Sequence, residues 1–383
     1  MSPALDPALA TRYVVWGALL LGLVLGVVGQ ATRFCVRGAI ADWVIFRGPG
    51  RLVSWLVAVA IAAVLVQAMV SAQVFDASRT IFWGNRLLWL SALVGGVLFG
   101  YGMILSGGCP QRSLVKAGSG NLRSLVTLLV IAIAAAMTLR GAFAGLRVNW
   151  LDAWGIGLAG SQDLGALAAS ATGVSAGALR WLFTLVLGGA VLGFAWSVRG
   201  SVDRSHWIGG VVVGLLVAAS FYLTGRIGFL AEHPETLEPA WLGTQSKRPE
   251  ALSFSAPLAH GLDLLTLWSD KATVATFGVM LSLGVLFGAF VSAKLRGDFR
   301  LESFGSPREV LEHLAGGVLM GFGGVTALGC SIGNGVTGVA LLSAGSFLAI
   351  IGITAGALLA LRVQMRKVNA APVAGAVPQP ANS

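Results

Sequence analysis

The chain has 383 residues, 56% apolar and 11% charged, at a mean hydropathy of +0.82, whereas a soluble domain carries roughly 25% charged residues. A water-soluble core is excluded, and so is a nucleic-acid-binding role, because the 26 basic and 16 acidic residues give a net charge of +10 without a dense basic tract. The three cysteines, Cys35, Cys109 and Cys330, lie far apart without CxxC or His/Cys spacing, which excludes a disulfide framework and a zinc site.

A bilayer core of ~30 Å needs about 20 apolar residues per helix. Apolar runs predict nine such helices, at 14–30, 52–73, 87–106, 125–143, 179–198, 207–224, 273–293, 314–328 and 345–363. The first has a weakly charged start and no small-residue cleavage site, so it reads as a retained span rather than a signal peptide. The expected architecture is an all-α polytopic membrane protein with short re-entrant helices. It forms one transmembrane domain over 1–364, with a first half at about 13–145, a connector helix at about 178–200 and a second half at about 205–364. The segment at about 228–271, which carries Glu232, Glu235, Glu238, Pro234, Pro239, Pro249 and Pro257, reads as an irregular outer loop with Trp241 and Trp268 at the interface. The stretch 365–383, rich in Ala and Pro from Ala370 onward, reads as a disordered tail.

With the N-terminus outside, 16 of the 26 basic and 6 of the 16 acidic residues fall on the inside. The inside then carries the whole +10 and the outside nets zero. The positive-inside rule therefore predicts N-out, C-in, and explains the basic balance as a topogenic signal.

Glycine is twice as frequent as usual, at 53 of 383 residues against roughly 7%. Part of this excess is a repeat at an offset of 221. Gly95-Gly96-Val97-Leu98 matches Gly316-Gly317-Val318-Leu319, and Gly100, Gly102, Gly108 and Cys109 match Gly321, Gly323, Gly329 and Cys330. The copies fall on the third and eighth helices, an odd number of crossings apart, so they run in opposite directions. An inverted repeat of two four-helix halves around a connector is the expected plan. A weaker match at offset 192 pairs the first helix with the sixth, without a second cysteine. Gly22/Gly26 and Gly96/Gly100 read as helix-packing ladders.

Each cysteine stands where an apolar run stops. Irregular backbone at membrane depth is tolerated only when protein covers it or it lines a wet cavity, so a broken helix is expected at each. Pro110 suits the first position of a helix, whose free N–H groups and positive dipole end would face Cys109 and attract an anion. An inverted copy would bring Cys330 to meet it near the midplane, with Cys35 joining from the inside half of the first hairpin. A thiol is a soft, polarizable weak donor, able to contact a sulfur-bearing anion without trapping it, as conduction requires. The alternative is a membrane sulfurtransferase or thiol oxidoreductase whose cysteines turn over covalently, a thiolate being favoured by Arg33 or a helix N-terminus. Simple packing is the plainest use of a membrane cysteine.

Besides the cysteines, Arg33, Gly108, Pro110, Gln111, Gly329, Ser331 and Asn334 are the candidate substrate contacts, although Gln111 and Asn334 would equally serve to cap backbone. Arg112 and Lys116 read as inside anchors. His206, His233, His260 and His313 fall at loops or helix ends without metal spacing. No carboxylate lies inside a span to couple protons, Asp42 being the nearest. No P-loop, dinucleotide fingerprint or nucleophile elbow is present, and no metal or cofactor is expected.

The motifs Arg33-Phe34-Cys35, Ser106-Gly107-Gly108-Cys109-Pro110 and Leu328-Gly329-Cys330-Ser331, in a nine-span duplicated frame, resemble the YeeE/YedE sulfur-transport family of bacterial inner-membrane proteins. The likeness runs from about Trp16 to about Val363. It implies an hourglass-shaped protein with re-entrant helices that takes up thiosulfate or a similar small sulfur anion along Cys35, Cys109 and Cys330. It also implies a small sulfur-carrier protein of the TusA type as partner on the cytoplasmic side.

Overall fold

A computed structural model describes residues 6–234 and 236–370. Runs of Leu, Val, Ala and Ile interrupted only at their ends satisfy their backbone internally as helices, and eight helical stretches are long and apolar enough to cross a membrane. In chain order the helices are α1 (Pro7–Ala31), α2 (Val36–Phe46), α3 (Gly50–Ser71), α4 (Trp89–Leu105), α5 (Pro110–Gly118), α6 (Leu122–Arg140), the single turn α7 (Ala144–Leu146), α8 (Leu164–Thr172), α9 (Ala176–Ser197), α10 (Arg204–Tyr222), α11 (Ser255–Thr266), α12 (Phe277–Leu295), α13 (Pro307–Thr326) and α14 (Ala344–Ala370). Two antiparallel strand pairs tie loops together, β1 (Arg86–Leu87) with β2 (Ile156–Gly157) and β3 (Phe229–Leu230) with β4 (Ala240–Trp241).

The ninth expected span is α13. It has 20 residues, but Arg308, Glu309, Glu312 and His313 near its start make it too polar to count by composition. Packing between α4 and α6 shields it instead. Its start is fixed by Ser306, whose hydroxyl accepts the Glu309 N–H at 3.3 Å, and by Pro307 at the first helical position.

The matched glycines pair across the α4–α13 crossing. A Cβ on Gly102 would lie 2.7 Å from the Gly316 carbonyl oxygen and one on Gly316 2.7 Å from that of Gly102, while Gly95 and Gly323 reciprocate at 2.8 and 2.5 Å. Residue numbers rise along one helix as they fall along the other, so α4 and α13 are antiparallel, and exchanging the two copies maps the crossing onto itself. The same exchange turns α4–α14 into α13–α6 and α1–α12 into α10–α3, all of which are packed pairs. Backbones touch at these crossings because glycine leaves nothing between them.

Two sequence expectations change. The segment 228–271 is not irregular: it holds the β3–β4 pair and α11, and its Leu252 and Phe254 are fully buried. Proline does not prevent this, since Pro257 falls in the first turn of α11, where no intrahelical N–H is required. The expected tail begins later than 365, because α14 continues to Ala370; the remainder, 371–383, lies outside the described residues, as does Glu235. The connector is α9, preceded by α8, whose cap Asp163 accepts the Ala166 N–H at 3.0 Å and pairs with Arg180 at 2.7 Å.

Candidate functional site

Three helices break in the same way. Arg33, Gly107 and Leu328 adopt left-handed backbone (φ 55°, 70° and 58°), and two residues later each chain reaches a cysteine that begins a short helix. Cys35 caps α2, Cys109 caps α5, and Cys330 precedes the helical segment 331–340, whose middle, Gly333–Gly338, is π-wound. Only Gly107 takes such a φ without strain; the other two are held by their surroundings.

All three cysteines are free and buried. Cys35 Sγ accepts the Gly38 N–H at 3.3 Å, and Cys330 Sγ accepts that of Gly333 at 3.4 Å, the N-cap geometry usually supplied by Ser or Asp. Cys109 makes no such cap. Its thiol faces the Ser331 hydroxyl and lies near Cys35 and Cys330. Three positive helix ends therefore converge on three soft sulfurs, with no acid from the break motifs among them.

The backbone of the second break is anchored from the first half. Trp55 Nε1 donates to Gly335 O (3.0 Å), Gln67 Nε2 to Ala340 O (3.1 Å) and Trp83 Nε1 to Leu341 O (2.7 Å). Asn334 closes the gap behind Leu328: its Nδ2 donates to Ala327 O (3.0 Å) and Gly329 O (2.8 Å), and its Oδ1 accepts from Ser346 (3.1 Å). Asn334 is thus a cap that holds the break open. Gln111 differs: it is fully buried against Gly29, and neither amide atom has a hydrogen-bond partner. Ser331 Oγ is also buried and has no hydrogen-bond partner besides the Cys109 thiol that it faces. Gly108, Pro110 and Gly329 are buried beside the cysteines, while Arg33 is exposed.

A cavity lies on either side of this cluster. On the face where α1 ends and α13 begins, about 360 Å³ is lined by Gly107, Arg112, Lys116, Arg123, Arg300, Glu302, Glu309 and His313 among others. Arg112 donates to Gly29 O (3.1 Å) and Lys116 to Gly107 O (2.8 Å), which covers carbonyls at the C-terminal ends of α1 and α4. On the opposite face about 320 Å³ is lined by Arg147, Glu250, Ser253, His260, Thr337, Leu328 and Gly329 among others. Gly107 and Gly329 bring the two cavities to within two residues of Cys109 and one of Cys330 in sequence. Among the described residues no group of three or more His, Cys, Asp or Glu is arranged to hold a metal.

The left-handed backbone of Arg33, Gly107 and Leu328, the anchoring Trp55, Gln67 and Trp83, and the cavity position of Glu250 were not foreseen from the sequence. Gly107 carried a local signal; Arg33 and Leu328 carried none.

The sequence pattern of the family described as sulphur transport matches residues 31–359. The thiosulfate transporter TsuA of Escherichia coli (strain K12) is 26% identical over 341 residues, covering 86% of this chain and 89% of its own. The thiosulfate transporter TsuA of Spirochaeta thermophila is 24% identical over 340 residues, covering 88% and 95%.

Proposed function

The chain belongs to the sulphur transport family, and on that premise we propose that it takes up thiosulfate or a similar small sulfur anion across the bacterial inner membrane, along a path lined by Cys35, Cys109 and Cys330. The observation that carries this reading is the placement of three buried thiols, each at a positive helix end, between cavities on opposite faces. The relatives named as thiosulfate transporters supply the substrate class.

The charge count puts the Arg112/Lys116 cavity inside and the Arg147/Glu250 cavity outside. A dianion then passes Leu328 and Gly329, meets Cys330 and Cys109 in turn, and leaves by Cys35. Thiols polarise toward the terminal sulfur, and the buried Ser331 hydroxyl and the unpartnered Gln111 amide supply hydrogen bonds to the oxygens. Each contact is weak, so no site traps the ion. An inside-negative potential opposes the inward step by about 2.3 kcal/mol per charge per 100 mV, so consumption of the product inside, for example by a TusA-like carrier docked at the inner cavity, pulls the flux.

The test is growth and labelled-thiosulfate uptake in a sulfate-uptake-deficient bacterium carrying this chain or its cysteine variants. Rescue by the unaltered chain and loss in Cys109→Ala and Cys330→Ala are expected; no rescue by the unaltered chain removes the substrate assignment. Mass spectrometry after substrate exposure separates conduction from sulfur transfer: a persulfide on Cys109 or Cys330 required for turnover would replace conduction with the sulfurtransferase reading.

A further inference from the structure

Between β4 and α11 the chain returns toward the membrane interior as a strap, residues 245–254. Thr224 Oγ1 donates to the Glu250 carbonyl (2.6 Å) and accepts its N–H (3.1 Å), while Thr337 Oγ1, from the helical segment after Cys330, donates to Leu252 O (2.9 Å). With Leu252 and Phe254 fully buried, the strap is fastened both to the π-wound turn Leu223–Ile227 that continues α10 and to the second break. Glu250 lines the same cavity as Leu328 and Gly329. A carboxyl group therefore stands at the approach to Cys330.

The other ionisable groups lining this cavity lie within ion-pair distance of carboxylates other than Glu250. Arg147, from the turn after α7, sits 3.6 Å from Asp152; His260, on α11, sits 3.5 Å from Asp263 with Arg140 beside it. Lys247 and Arg248 of the strap are exposed. Among the described residues no cation pairs with Glu250, whose Oε1 instead accepts from Ser246 N (2.7 Å) and Ser246 Oγ (2.6 Å). Burial pushes the Glu250 carboxyl above the usual carboxylate range, and the Ser246 contacts act in the opposite sense.

We propose that Glu250 is the charge gate of the outer cavity: ionised, it repels an anion approaching Leu328 and Gly329; protonated, it admits the anion and donates a hydrogen bond to one of its oxygens. The gate rests on the transport reading and on the outward assignment of this cavity. It makes anion access rise as external pH falls through the Glu250 pKa, with no change in the charge of thiosulfate itself.

Leu328 is 40% exposed toward the cavity, so Leu328→Cys in the full-length protein places a reporter thiol there, and the protein without it supplies the background. Membrane vesicles are treated from outside with anionic (sulfonatoethyl) and cationic (trimethylammonioethyl) methanethiosulfonates, from about pH 5.5 to about pH 8. The ratio of the two rates cancels the ionisation of the reporter. It is expected to fall about threefold to tenfold as pH rises, the size of one partly screened charge acting across several ångströms of water on probes of opposite sign. Glu250→Gln should hold the acid-side ratio at every pH. Ser246→Ala, which removes a hydrogen bond to the carboxylate, should move the midpoint to higher pH, and His260→Gln should keep the parental profile. A flat parental ratio, an unaltered slope in Glu250→Gln, an unmoved midpoint in Ser246→Ala, or a profile flattened by His260→Gln each overturns the gate. Ser246→Ala decides the matter if Glu250→Gln does not accumulate. Thiosulfate uptake measured in parallel keeps the two readings apart: its absence at every pH removes the transport assignment, while the labelling ratio still decides the gate.

Discussion

Asn334→Ala tests whether the second helix break is held by its cap. The Asn334 side chain is 2% exposed and makes three hydrogen bonds, to Ala327 O, Gly329 O and Ser346 Oγ. Alanine removes all three and leaves the Ala327 and Gly329 carbonyls without this donor in a dry interior. At about 0.6–1.5 kcal/mol per bond the loss is about 2–4.5 kcal/mol. Unfolding of the purified protein in nanodiscs should show this loss, and uptake should fall because Cys330 is no longer fixed two residues beyond Leu328. Ser346→Ala breaks one of the three bonds and should cost about 0.6–1.5 kcal/mol. The double variant should then fall within about 0.5 kcal/mol of Asn334→Ala alone, since the shared bond is already gone. Unfolding of Asn334→Ala within about 0.5 kcal/mol of the parent, with uptake intact, refutes the role given to this amide.

Other variants probe the site and the frame. Cys35→Ser, Cys109→Ser and Cys330→Ser keep a donor while losing the soft sulfur; uptake should drop in all three by more than stability does, and full activity in Cys109→Ser would remove the need for sulfur there. Gln111→Leu discards a buried amide with no partner, so stability should hold or rise by up to about 1 kcal/mol while uptake falls; a fall in both assigns Gln111 a structural role. Gly100→Ala drives a methyl into the Ile353 carbonyl, and Gly321→Ala places one 2.7 Å from that of Ile131; each should cost about 1–3 kcal/mol. Gly189→Ala on α9 meets nothing within 4 Å and should be neutral or stabilising by up to about 1 kcal/mol, as thermal unfolding in detergent would show. Equal costs at all three glycines would disconnect glycine from crossing geometry.

The helices were readable because apolar runs of fixed length have one solution in a bilayer. The repeat was readable because closely crossing helices require glycine at matched positions, as at Gly95/Gly316 and Gly102/Gly323. The three cysteines were readable as places where those runs stop. Asn334 and Gln111 were not separable in the sequence: both are amides beside a cysteine. The fold separates them, giving one three hydrogen bonds and the other none.

Residue order alone determined the spans, the antiparallel copies and the uneven charge of the two faces, since each depends on local composition and on counting crossings. Tertiary structure decided what meets what. It bound the Gly335, Ala340 and Leu341 carbonyls to Trp55, Gln67 and Trp83 more than 250 residues away, set Cys109 against Ser331, and turned an apparently peripheral loop inward to bring Glu250 into the approach to Cys330. Contacts between distant segments leave no periodicity or spacing in the chain; packing and the need to satisfy buried backbone select them.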